Sequence, residues 1–146
     1  MKLVPYPDTE ELFNDFVVHG MDQLLRKHAL KPIDPQELLR LLELAVVMGW
    51  YDKVTGSPRI KIVTCVHEGR LAMPCFTSLE SLRAAEQEYG KHSMKATSCA
   101  LYRALAKNYY PIVINPMCPH ALMILPEPEI ELPPGAPPDA PKNSHH

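Results

Sequence analysis

Two Cys-x-His pairs stand out in this chain, Cys65-Val-His67 and Cys118-Pro-His120. Together they make a formal two-cysteine, two-histidine set, the donor types that hold zinc. If a strand runs through Cys65, its two-residue period puts Cys65 and His67 on one face, toward one ion. The spacing argues the other way. A single intervening residue is not the usual gap between zinc-binding cysteines, and a cysteine inside a strand is more simply a small buried hydrophobe. Cys65, His67, Cys118 and His120 are therefore the metal-ligand candidates of a chain expected to carry no metal and no cofactor. A nucleophile is the other chemistry on offer. Cys75 precedes a helix start, where the helix dipole favours a thiolate. Five histidines could serve it as base (His19, His28, His67, His92 and His120), and no spacing singles one out. The alternative is that Cys75 points into the core behind Phe76. Ser78 lacks the G-x-S-x-G elbow of a serine nucleophile and is explained as a helix cap. The glycines form no phosphate-cradling loop, and the acidic residues fall mainly at helix starts. The chain is thus read as not an enzyme, with a small metal-binding or thiol enzyme as the alternative.

Composition narrows the field further. The chain has 146 residues, with 15 basic and 17 acidic side chains and a net charge of −2. Well-mixed charge gives no basic stripe for nucleic acid and no polybasic segment for an anionic membrane. No apolar run approaches the ~20 residues that span a bilayer. The N-terminus carries prolines and acidic residues where a signal peptide has its apolar region, so the expected location is the cytoplasm. Its four cysteines are then expected as thiols.

The elements that would position these residues follow from periodicity and caps. Residues 9–30 read as a helix with one apolar stripe through Phe13, Met21 and Leu25, opened by Asp8. Asp34 caps a second helix, with Pro35 in its first turn. An apolar run from Leu38 to Met48 extends that helix to Gly49, and the pair forms a helical hairpin. Alternation over residues 60–67, a turn at His67–Arg70 and a return through Leu71–Cys75 give a β-hairpin. Thr77 or Ser78 caps the helix that ends at Gly90. A brief strand near Met94 comes next, then a helix over Thr97–Asn108 with Leu101, Ala104 and Leu105 inward and Tyr102 as a further inward candidate. Strands at Ile112–Ile114 and Ala121–Leu125 close the sheet. The end of the chain is proline-dense and reads as polyproline-like or disordered, and His145 and His146 are either native or an added remnant.

The segment Leu71-Ala-Met-Pro-Cys-Phe-Thr-Ser-Leu-Glu-Ser-Leu82 resembles the "lPvFts-e-L" segment of the SseB N-terminal domain family. Tyr110-Pro-Ile-Val-Ile-Asn-Pro116 resembles that family's "gl-lNP" segment. Leu122-Met-Ile-Leu125 followed by Glu129-Ile130 is similar to its closing strand. The resemblance covers residues 60–132 with order and spacing kept. It implies an α+β domain, no established enzyme activity and no functional residues to transfer.

The fold class expected is α+β: an N-terminal helical hairpin, then a mixed four- to five-stranded sheet with two packed helices. The expected partition is a helical hairpin and connector over 1–58, an SseB-like domain over 59–132 and a tail over 133–146. The expected function is a non-catalytic interaction module, bacterial in character, with an immunity or secretion-accessory role as a further alternative. Its partner is another protein or a second copy in a homodimer, with no nucleic acid and no membrane. The candidate anchors are Leu41, Leu44 and Val47 on the over-apolar second helix, with Trp50, Tyr51, Tyr109 and Tyr110, aromatic types that interfaces favour.

Overall fold

The computed structural model describes residues 11, 13–14, 16–53, 55–106 and 109–126; Asp8 and the 133–146 tail lie outside them. Among the described residues, α1 (Phe16–Leu30) and α2 (Pro35–Glu43) precede the sheet. Asp34 opens α2 as the sequence suggests, its carboxylate accepting the Glu37 N–H at 3.1 Å. His28 pins the link between the helices: its Nδ1 accepts the Ile33 N–H at 2.9 Å.

The second helix stops at Glu43, five residues short of the expected end. Leu44 is its C-cap, and Val46–Lys53 continues as β1. The leucines before Leu44 form helix readily, whereas the β-branched pair Val46-Val47 favours a pleated surface. What looked like one helix, apolar all round, is a short amphipathic helix followed by a strand buried on both faces. Gly49 does not close a helix. A Cβ there would stand 2.7 Å from Tyr102 Cε1, and Tyr102 is held by its hydroxyl, which donates to the Pro74 carbonyl at 2.5 Å.

The remaining strands are β2 (Ile60–Ile62), β3 (Cys65–His67), β4 (Arg70–Phe76), β5 (Ser93–Ser98), β6 (Ile112–Ile114) and β7 (Leu122–Ile124). Helix α3 (Leu79–Tyr89) follows β4, and α4 (Cys99–Ala106) follows β5. The sheet is mixed and seven-stranded, with the path β2-β1-β4-β6-β7, β3 on β4 and β5 on β1. β1 is an added strand, and the expected 60–67 strand divides into β2 on β1 and β3 on β4, which takes the sheet to seven against the four or five expected. The β4–β6 pair is parallel, with Cys75 opposite Ile114, and the other pairs are antiparallel. The α+β class with helices first is borne out.

Side-chain alternation divides the core between the two faces. Val47, Tyr51, Met73, Cys75, Ile112 and Ile114 face α1, α2 and α4, packing on Leu25, Leu38, Leu42 and Tyr102. Met48, Trp50, Phe76 and Met94 face α3 through Leu82 and Ala85. Helix α4 is turned so that Tyr102, the further inward candidate, is its fully buried side chain, while Leu101 and Ala104, expected inward, face outward. Among the described residues no helix is long and apolar enough to cross a membrane.

Candidate functional site

The two Cys-x-His pairs separate in the fold. Cys65 is buried with Ala72, Val113 and Met123 on one face of the sheet, where burial pushes its thiol up to about 11. His67, Cys118 and His120 instead line one cleft. Among the described residues no three His, Cys, Asp or Glu side chains gather closely enough to hold a metal ion. Cys75 is fully buried. Its Sγ donates to the Val113 carbonyl at 3.8 Å, and burial, with smaller contributions from Cys99 and Cys65, holds the thiol well above its ordinary range. The dipole effect expected for a cysteine near a helix start is outweighed by desolvation.

His120 has a different partner from any foreseen. Its Nε2 lies 2.8 Å from Asp22 Oδ1 on α1, with both groups almost wholly buried. The same carboxylate accepts from Thr77 Oγ1 at 3.0 Å and from Arg26 Nε at 2.8 Å. Burial by itself pushes Asp22 up. The hydrogen bonds from Arg26, His120 and Thr77 outweigh it and hold the carboxyl below its ordinary value. Asn115 completes the network. Its Oδ1 accepts the backbone N–H groups of Thr77 and Ser78 at 2.8 and 3.0 Å, and its Nδ2 donates to Thr77 Oγ1 at 2.7 Å. Ser78 is the N-cap residue of α3, but its own side chain makes no cap bond. Thr77, the other cap candidate, spends its hydroxyl on Asp22. The corner between β4 and α3 is therefore clasped from outside, by the turn after β6. Ser81 strengthens the clasp by donating to the Pro116 carbonyl at 2.7 Å.

This turn is bent sharply. Asn115 and Met117 hold φ of 58° and 68°, a region that non-glycine residues enter at a cost. The bend places Met117 on the rim of a cleft of about 410 Å³. One wall is Leu25, His28 and Ala29 of α1. A second is Val66, His67 and Glu68 at the β3–β4 turn, and the remainder is the 117–123 segment. Val66 and Met117 are 56% and 52% exposed, and Leu71, directly across the β3–β4 ladder from Val66, is 52% exposed. Cys118 is the half-exposed thiol at this cleft. Burial raises it, with a Ser81 hydrogen bond opposing, so it is held as a thiol and not as an activated nucleophile. Titration with a thiol-specific disulfide reagent at neutral pH is expected to modify Cys118 alone in the folded protein. Cys65, Cys75 and Cys99, all buried, should react only after denaturant is added. Fast labelling of two or more thiols in the native state would contradict this packing.

The anchors expected from sequence divide into two groups. Val47, Trp50 and Tyr51 are fully buried in the core, as β1 requires, and offer no surface. Leu44 and Tyr109 are 84% and 79% exposed, and Leu41 and Tyr110 are half-buried. Of the cleft residues beyond His67, Cys118 and His120, His28 had stood out only as one of five candidate bases, and Val66 and Met117 carried no signal, because these side chains meet only in three dimensions. The Asn115-Pro116 dipeptide was a signal, legible as a turn but not as the cap of a distant helix.

No curated protein and no solved structure matches the chain significantly. A family model described as the SseB protein N-terminal domain matches residues 17–131. The match begins within α1, so it takes in both N-terminal helices as well as the sheet. It also spans both halves of the clasp, Thr77–Ser81 and Asn115–Pro116. The chain belongs to the SseB N-terminal domain family.

Proposed function

We propose that the chain is a non-catalytic interaction module that docks another protein in the cleft between α1, the β3–β4 turn and the 115–120 turn. The observation that carries this reading is the exposed pair Val66 and Met117 on the rim of a cleft whose walls are fixed by a buried hydrogen-bond network. Apolar side chains displayed beside a preformed concavity are a common form of docking surface, and methionine adapts to varied partners. The partner is a protein of the same cell, taken as an extended segment with apolar side chains.

Met117→Asp tests it. Aspartate tolerates positive φ and residue 117 is exposed, so the unfolding temperature should stay at the wild-type value. Loss of a central contact should weaken association at least about tenfold, measured as retention of a native partner on immobilised protein against wild type. A wild-type chain that remains monomeric and retains nothing, or an equal yield with Met117→Asp, would remove the reading. A second surface is favoured by the exposure of Leu44. If Leu44→Asp, and not Met117→Asp, shifts the sedimentation of the wild-type assembly to monomer, the interface is a homodimer contact around Leu41, Leu44 and Tyr109.

A further inference from the structure

Four strands have a single neighbour among the described residues: β2 and β5 on β1, β3 on β4, and β7 on β6. Three of them, β2, β3 and β7, are three residues long, and so short an edge offers little template for another strand. β5 is the exception. Its six residues, Ser93–Ser98, pair with β1 in unbroken register and include no proline. Ser93, Lys95 and Ala96 are half-buried and Ser98 is exposed. Lys95 is its one charge, and the ammonium lies over the ring of Tyr51 on β1, 5.9 Å from the centroid. No described strand pairs with the side of β5 away from β1, so alternate N–H and C=O groups point outward without a ladder partner. The Lys95 carbonyl takes one bond from Thr97 Oγ1 at 3.2 Å and keeps a second lone pair. Neither proline nor bulge closes this edge.

We propose that β5 pairs antiparallel with β5 of a second copy, about a two-fold axis at Ala96. An axis normal to the sheet keeps each face on its own side, so facing residues must share a side-chain direction. Two registers then align five residues. The one centred on Lys95 sets two ammonium groups directly opposite, which is repulsive. The one centred on Ala96 sets two methyl groups on the axis, with Lys95 opposite the partner's Thr97 and Met94 opposite the partner's Ser98. Whichever residues of β5 point outward, this register forms about four to six main-chain hydrogen bonds. So short a contact buries less than a permanent interface, and the dimer is expected to dissociate on the order of 100 µM.

Sedimentation of the full chain over a concentration series bracketing that value should show a reversible monomer–dimer equilibrium. In the same series, amide exchange at residues 94–98 should slow as concentration rises. Ala96→Lys places two like charges on the axis and should weaken the dimer at least ~10-fold, while Met117→Asp and Leu44→Asp leave it intact. The unfolding temperature of each variant is taken on the dilute monomer. If Ala96→Lys does not fold, exchange in the wild type carries the test. In a Cys118→Ser background with oxidised glutathione, Ala96→Cys should bridge two chains faster than Lys95→Cys, because residue 96 faces itself across the axis. A chain that stays monomeric throughout, exchange protection elsewhere than β5, an unchanged dimer in folded Ala96→Lys, or faster bridging of Lys95→Cys overturns the inference. A dimer dissolved by Leu44→Asp belongs to the Leu41, Leu44 and Tyr109 surface and also overturns it.

Discussion

Replacing Asp22 with alanine is expected to lower the stability of the fold by about 3–5 kcal/mol, the usual cost of removing one member of a buried charged network. The loss is uneven among its partners. Arg26 is partly exposed and has Glu80 within 3.7 Å, so it can turn to that carboxylate or to water. His120 and Thr77 are buried and would each keep an unsatisfied donor, which is where most of the cost arises. Asp22→Asn keeps one acceptor oxygen and should cost less, about 1–3 kcal/mol. The two variants separate again in acid. The folded-state pKa of Asp22 lies below its unfolded value, so its contribution is fully present above about pH 4 and is lost as pH falls through the folded pKa. Urea unfolding of wild type and Asp22→Asn across pH 2–6 should therefore give curves that converge in acid. A constant difference at every pH, or a loss below ~1 kcal/mol for alanine, would mean that the carboxylate does not hold the clasp.

Asn115→Ala should cost a similar amount for a different reason. The carboxamide covers the backbone N–H groups of Thr77 and Ser78, and residue 115 is fully buried. Stripping it leaves two buried donors unpaired, each worth about 1–3 kcal/mol, and puts a Cβ without compensation at φ of 58°, which costs roughly 1–2 kcal/mol more. Asn115→Gly removes the side chain but relieves the backbone, so it should be less damaging than alanine by about 1 kcal/mol. That order, wild type above glycine above alanine, is the signature of a cap combined with a left-handed residue. Glycine at wild-type stability would show that the two N–H groups find other acceptors.

The corner from Leu71 to Leu82 was legible because every signal in it is local: a strand, a proline at its end, small polar residues and an apolar helical stripe. The start of α2 at Asp34 was legible for the same reason. Residues 44–53 were not. A strand buried on both faces shows no alternation of polar and apolar residues. It followed a leucine-rich helix with no glycine at its C-cap to mark the break. The clasp was invisible on different grounds. Asp22 meets Thr77 and His120 across 55 and 98 residues of sequence, and nothing near Asp22 marks it as the acceptor for three donors. His120 attracted attention for its type and its distance from Cys118, but its partner is a carboxylate on the first helix. The cap expected from Thr77 or Ser78 had the right position and the wrong acceptor, since Asn115 Oδ1 in the turn after β6 accepts the N–H groups there.

The position of β1 has a cost during synthesis. It pairs with three strands, β2, β4 and β5, and leaves the ribosome before any of them. Its longest ladder, with Ser93–Ser98, must wait for β2, β3, β4 and α3 to be made. At ~5–20 residues per second the delay is on the order of seconds. Until then Val47 and Trp50 have no ladder partner, and Tyr51 and Met48 gain one only as β2 and β4 emerge. That interval displays apolar side chains that the finished sheet buries completely.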